Sequence, residues 1–152
     1  MERFTTAVYD ALNARNWFGA LFIALALPDI CGALEDPGEA VGIRYKRWFE
    51  KYLGDHYRQM LSAEDCYYFR CACVHEGTAT YDKGTGDRIH FTHPRSQAYV
   101  HGNWVNGSLQ LSIDVFCADV CIAVGQWQQA TAARADVKER LKELIAIHLP
   151  LL

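Results

Sequence analysis

Residues 61–77 read Leu-Ser-Ala-Glu-Asp-Cys-Tyr-Tyr-Phe-Arg-Cys-Ala-Cys-Val-His-Glu-Gly, and the fold reading starts from them. Ser62 followed by Asp65 has the spacing of a capping box, and Leu61 stands where a hydrophobic staple residue would. Cys66, Phe69 and Cys73 recur on one helical face, and Gly77 is a natural stop. The pattern predicts a helix from Ala63 to about Gly77. Arg70 and His75 lie five positions apart, about 140° around an ideal α-helix, so they are not expected to stack on one face. Arg70 is long enough to swing towards His75 near a frayed end. Alternatively, two copies of the helix could meet, each Arg serving the other chain's His.

The flanking sequence predicts more helices. Phe4, Val8, Ala11 and Leu12 recur at helical spacing over 2–13. Residues 17–34 are apolar nearly all round, as in a central helix covered on several sides, and Pro28 is expected to kink or interrupt it. Asp36-Pro37-Gly38 marks a break. A third helix is expected over 39–53 with Val41, Tyr45, Trp48, Phe49 and Tyr52 inward. Two more are expected over 114–129, burying Val115, Ala118, Cys121, Ile122 and Trp127, and over 136–147, burying Val137, Leu141, Leu144 and Ile145. Between them, residues 81–115 carry Gly84, Gly86, Gly102 and Gly107, with alternation in Ile89–Phe91 and Leu109–Leu111–Ile113. Such texture reads as a short β-hairpin or meander. The expected architecture is all-α: one domain over residues 1–152, an up-and-down bundle of five to six helices with a β-hairpin insertion at about 81–113.

Composition sets limits. Fifteen Lys+Arg against 18 Asp+Glu give a net charge of −3, with 51% hydrophobic, 12% aromatic and 22% charged residues. These are the proportions of a folded globular domain. They exclude a disordered chain and a generally basic nucleic-acid-coating protein. The six cysteines (31, 66, 71, 73, 117 and 121) sit in apolar helical patterns, where a reduced Cys packs as a small hydrophobe. The apolar run from Trp17 to Leu27 is short against the roughly 20 residues a bilayer needs, and Glu2 and Asp10 precede it instead of a basic leader. A cytoplasmic protein without membrane contact is expected.

Arg70 and His75 suit phosphodiester chemistry. A guanidinium can hold a phosphate through two hydrogen bonds, and a histidine can shuttle a proton near neutral pH. RNA supplies its own nucleophile in the 2′-hydroxyl, so such a site needs no metal or cofactor. The bland reading is that Arg70 holds Glu64, Glu76 or a helix end and His75 is a cap-region residue.

Arg70-x4-His75 near the end of a bundle helix resembles the R-x4-6-H motif of HEPN domains. The surrounding pattern is similar too: Leu27-Pro28-Asp29-Ile30-Cys31-Gly32, Tyr45-x2-Trp48-Phe49-x2-Tyr52-Leu53, then Ser62-x-Glu64-Asp65 and Phe69-Arg70-Cys71-x3-His75-Glu76-Gly77, as in small bacterial HEPN-like proteins. The resemblance covers roughly residues 1–130. It implies a helical bundle that dimerises around the motif helices. It also implies metal-independent endoribonuclease activity of the kind met in toxin–antitoxin pairs, phage defence and RNA processing, with an antitoxin protein as one partner. Carried over, Arg70 would bind the scissile phosphate and His75 would transfer a proton, with Glu64, Asp65 and Tyr68 in support. Active relatives carry a polar residue directly after the Arg, where this chain has Cys71. The competing expectation is a non-catalytic HEPN-like module that binds a nucleotide, RNA or protein.

Other clusters weigh less. Cys71-x-Cys73-x-His75 would splay on a helix, because i and i+2 point about 200° apart. Cys117-x3-Cys121 and His90-x2-His93 would need tertiary assembly to make a zinc site, so no metal is expected. Arg44, Lys46, Arg47, Lys51 and Arg58 exceed Glu50 and Asp55 by 5 − 2 = 3 charges, and are interleaved with aromatics. Arg44, Arg47 and Lys51 are thus candidate RNA contacts, against the plainer reading of a solvated helix face. His90, His93 and His101, with Arg88 and Arg95, mark the Gly-rich stretch as a candidate for joining a site or as an ordinary surface hairpin.

Overall fold

The computed structural model describes residues 1–79, 88–94 and 100–148. At its centre is a helix, α2 (Trp17–Glu35), whose apolar sequence leaves no wholly polar face. Asn16 starts it, its Oδ1 accepting the Gly19 N–H at 3.0 Å. Ala20, Ala24, Leu25, Leu27 and Cys31 are fully buried against α1 (Glu2–Asn13), α3 (Val41–Tyr52) and α6 (Ile113–Thr131). The helix runs on through Pro28, so that of the kink or interruption expected there no interruption occurs. Pro28 is itself buried, and packing on several sides outweighs one lost ladder hydrogen bond. At 19 residues α2 is longer than the apolar run read from sequence, and it is long and apolar enough to cross a membrane; half of that span is buried inside the protein. Its last carbonyls are met by arginines. Arg140 Nε donates to Leu34 O at 2.7 Å and Arg134 Nη2 to Glu35 O at 2.9 Å.

The remaining elements in chain order are α4 (Gly54–Tyr57), α5 (Ala63–Cys71), a π-helical turn (Ala72–Glu76), β1 (Arg88–Thr92), β2 (Asn103–Val105), β3 (Ser108–Ser112) and, after α6, α7 (Ala135–Lys142). The chain is predominantly helical with a small three-stranded sheet. The described residues hold seven α-helices, the short α4 exceeding the expected six. Ser62 caps α5 as its spacing predicts, Oγ accepting the Asp65 N–H at 3.0 Å. Ser62→Ala is expected to cost about 1 kcal/mol in a urea titration.

The sheet differs from a plain hairpin or meander. Its order is β1-β3-β2, with β2 antiparallel to β3 and β1 parallel to it, Ile89 opposite Leu109 and Phe91 opposite Leu111. Asn106 and Gly107 join β2 to β3, both left-handed at φ 49° and 74°, a two-residue turn that suits glycine at its second position. β2 is exposed along its length, whereas β3 buries Leu109 and Leu111. The strand with the buried pair, β3, is therefore the central one, with β1 and β2 at the two edges of the sheet. A file of rings ties sheet to helices: Tyr57 to Phe116 at 6.1 Å between centroids, Phe116 to Phe91 at 5.2 Å, and Phe91 to Phe69 at 5.5 Å. Gly84, Gly86 and Arg95 lie outside the described residues.

Several inward expectations fail at the surface. Ile122 is 57% exposed, Ile145 75% and Val41 39%. Ile122 points away from the core face that Cys121 and Val124 share, and α7 ends at Lys142 before it can bury Ile145. Ile113 opens α6 and is not part of the strand. All six cysteines are free thiols; five are buried and Cys71 is half-buried. Burial pushes the Cys66 and Cys117 thiols up to about 12 and Cys121 to about 11, so they stay protonated and unreactive at neutral pH.

Candidate functional site

Arg70 stands on the last turn of α5, and the helix does not continue as α beyond it. Over Ala72–Glu76 the bonding widens to a π-helical turn, closed by Gly77 at φ 67° and by paired bonds from Gly77 N–H to Cys73 O and Thr78 N–H to Ala72 O, both 3.2 Å. An i→i+5 turn places residues five apart near one another, where an α-helix would separate them. Arg70 Nη1 lies 3.0 Å from His75 Nε2. The local winding thus narrows the 140° separation expected from ideal α-geometry, and the long Arg70 side chain closes the rest. A guanidinium can only donate, so His75 Nε2 accepts and the neutral ring carries its proton on Nδ1.

The other side of Arg70 is fixed by Asp29 of α2. Arg70 Nη2 donates to Asp29 Oδ2 at 3.0 Å, while Arg44 of α3 donates to Oδ1 through Nε at 3.1 Å and Nη2 at 3.0 Å. Arg44 Nη1 also donates to Glu39 O at 3.2 Å. One carboxylate thus bridges two guanidiniums from different helices. Gly32, one turn along α2, permits the approach: a Cβ there would sit 3.2 Å from the Arg44 side chain and carbonyl. Side-chain exposures are 13% for Arg70, 15% for Arg44 and 19% for Asp29, whereas His75 is exposed. Arg70 Nε is buried without an acceptor among the described residues, an unmet demand of about 1–3 kcal/mol. The cluster can hold an anion on a pre-positioned cation beside a solvent-facing neutral imidazole.

The other sequence candidates sit elsewhere. Asp65 belongs to the Ser62 cap, and Tyr68 Oη donates to Glu64 Oε1 at 3.2 Å in the first turns of α5. Each cation of the 44–58 stretch has a carboxylate: Arg44 on Asp29, Lys46 on Glu64, Arg47 on Asp36 and Glu39, Lys51 on Glu35 and Arg58 on Asp55. Those pairs offset the local excess that made Arg44, Arg47 and Lys51 stand out. Cys71 is half-buried beside the site. His93 meets Trp17 edge-on at 4.9 Å, and His90 borders an apolar cavity of about 370 Å³ with Phe18, Phe22 and Phe91. Among the described residues, no group of metal-ligand atoms joins either of them to Cys117 and Cys121. His101 instead approaches His56 and Asp119, two residues the sequence reading passed over. It also gave Asp29 no role, although the residue stands in the Leu27-Pro28-Asp29 stretch it singled out. Its signal was a lone acid inside an apolar helix, which needs a partner to be buried.

No protein-family model, curated protein or solved structure gives a significant match to this chain.

Proposed function

We propose that this chain is a HEPN-like endoribonuclease that cleaves RNA without a metal, Arg70 binding the scissile phosphate and His75 moving the proton. The observation that carries the reading is the 3.0 Å contact between Arg70 and an exposed His75, with Asp29 holding the guanidinium from behind. When a phosphate arrives, its oxygens take the Arg70 donors now turned to His75. His75 Nε2 is then released to accept the 2′-hydroxyl proton. The 2′-oxygen bonds to phosphorus as the bond to the 5′-oxygen breaks, and the leaving 5′-oxygen takes a proton from water. His75 later gives its own proton back to solvent, and the products are a 2′,3′-cyclic phosphate and a 5′-hydroxyl. The same reading makes the protein a cytoplasmic homodimer in which two such ends share one RNA cleft, regulated by an antitoxin-like partner. RNA is the substrate, and Arg47 and Lys51 are its peripheral contacts.

The test is cleavage of single-stranded RNA in EDTA by the purified protein. His75→Ala is expected to lower the rate by about 100-fold or more. Its side chain is exposed, so circular dichroism should stay that of the wild type. Equal background rates for wild type and variant would sink the enzyme reading. The second reading, a non-catalytic module that binds RNA, a nucleotide or a protein, is favoured by Cys71 and by the burial of Arg70. It calls for intact RNA together with saturable binding that Arg70→Ala removes.

A further inference from the structure

His101, in the segment entering β2, is joined to two helices by a run of hydrogen bonds remote from Arg70 in the sequence. The Ser112 N–H, at the start of α6, donates to His101 Nδ1 at 3.2 Å. With Nδ1 accepting, the neutral ring carries its proton on Nε2, and that nitrogen faces Tyr57 Oη of α4 at 3.3 Å. Tyr57 Oη in turn donates to Asp119 Oδ2 of α6 at 2.8 Å, and His56 Nε2 reaches the same oxygen at 3.2 Å. Each donor meets an acceptor along the line Ser112, His101, Tyr57, Asp119, with His56 closing it at the surface. Tyr57 is fully buried, and burial followed by the Asp119 charge pushes its pKa up, so the hydroxyl stays protonated and remains a donor.

His56, His101 and Asp119 also bring three ligand atoms within 4.8 Å of one another, a donor set that suits a divalent metal by composition. The direction of the hydrogen bonds speaks against an ion. A histidine bound to metal through Nε2 keeps its proton on Nδ1 and gives it to an acceptor. Here Nδ1 faces a backbone donor, and the Tyr57 hydroxyl bridges His101 and Asp119.

We infer that His101 is a pH-operated latch that holds the β2 end of the sheet to α4 and α6 while its ring is neutral and lets go when the ring takes a second proton. A protonated ring points Nδ1–H at the Ser112 N–H, donor against donor. The adjoining Gly102 N–H, which donates to Gln110 O at 2.8 Å, belongs to the segment that would loosen. Among the described residues, the charged and titratable groups around the ring include His56 and Tyr57 on α4 and Asp114 and Asp119 on α6, with the Cys66 and Cys117 thiols behind Tyr57. Burial is the largest influence and lowers the His101 pKa; Asp119, the Ser112 backbone and Asp114 oppose it and His56 adds to it, the net direction being downward. The folded protein therefore binds this proton less readily than the unfolded chain. The stabilisation is full above the ordinary histidine value of about 6.5 and is lost as pH falls through the lower folded value.

The experiment is an imidazole ¹⁵N titration of the whole chain from about pH 7.5 to about pH 4.5, with amide exchange read at Gly102 and Ser112. The expected result has His101 as the Nε2–H tautomer at the upper end and a midpoint below about 6.5. Amide protection at both positions should fall about tenfold across that midpoint, after correction for intrinsic rates. His101→Gln keeps an acceptor and a donor but cannot titrate, and its protection should not change with pH. An Nδ1–H tautomer, or protection unchanged through the wild-type titration, overturns the latch whether or not the variant folds. Stoichiometric zinc uptake that Asp119→Asn abolishes would overturn it in favour of a metal site. No RNA enters the measurement, so its outcome is independent of the ribonuclease reading.

Discussion

Asp29→Ala is expected to lower the unfolding free energy by about 3 kcal/mol, the cost of removing one partner from a largely buried ionic group. The carboxylate is the common partner of Arg44 and Arg70, whose side chains are 15% and 13% exposed. Without it, two guanidiniums from neighbouring helices face each other with little water to screen them. Asp29→Asn keeps the shape and one acceptor oxygen, so its loss should be smaller, about 1–2 kcal/mol. Urea denaturation of both variants checks the order. An alanine variant as stable as the wild type would show that the bridge adds nothing to the fold. The same substitution loosens Arg70, so RNA cleavage should fall even where the protein remains folded.

The second large effect is at Trp127, the largest fully buried side chain. Trp127→Ala should cost about 3–5 kcal/mol through lost burial and the cavity left behind. Its Nε1–H donates to Glu35 Oε2 at 3.0 Å, which adds a polar loss. Trp127→Phe separates the two contributions. Glu35 keeps Lys51 at 3.5 Å and Arg134 at 3.7 Å, so the phenylalanine variant should lose only about 1–2 kcal/mol. Thermal and chemical unfolding of the pair measure the difference.

Periodicity made the helices legible. Apolar spacing located α2, α3 and α6, and Ser62 marked the start of α5 by a local mechanism that needs no tertiary information. What stayed hidden depends on residues distant in sequence. The partner of Arg70 is Asp29, 41 positions away, and nothing near Arg70 announces it. The cluster around Asp119 draws on α4, α6 and the β2 segment, brought together only by folding. The parallel pairing of β1 with β3 was missed because alternation reports which face is buried and not which strand lies alongside. Ile122 and Ile145 show the opposite error: an apolar residue at helical spacing is not obliged to find a neighbour.

The meeting of Arg70 and His75 depends on how many residues separate them as much as on what they are. If residues 72–76 wound as an ordinary α-helix, the imidazole would swing by a large part of a turn away from the guanidinium. An insertion or deletion of one residue within 72–76 is therefore expected to be more damaging to the pair than most replacements there. Relatives of this chain that keep the pair should preserve the combination of spacer length and winding rather than the letters between. A search for such relatives should count positions and allow the intervening identities to drift.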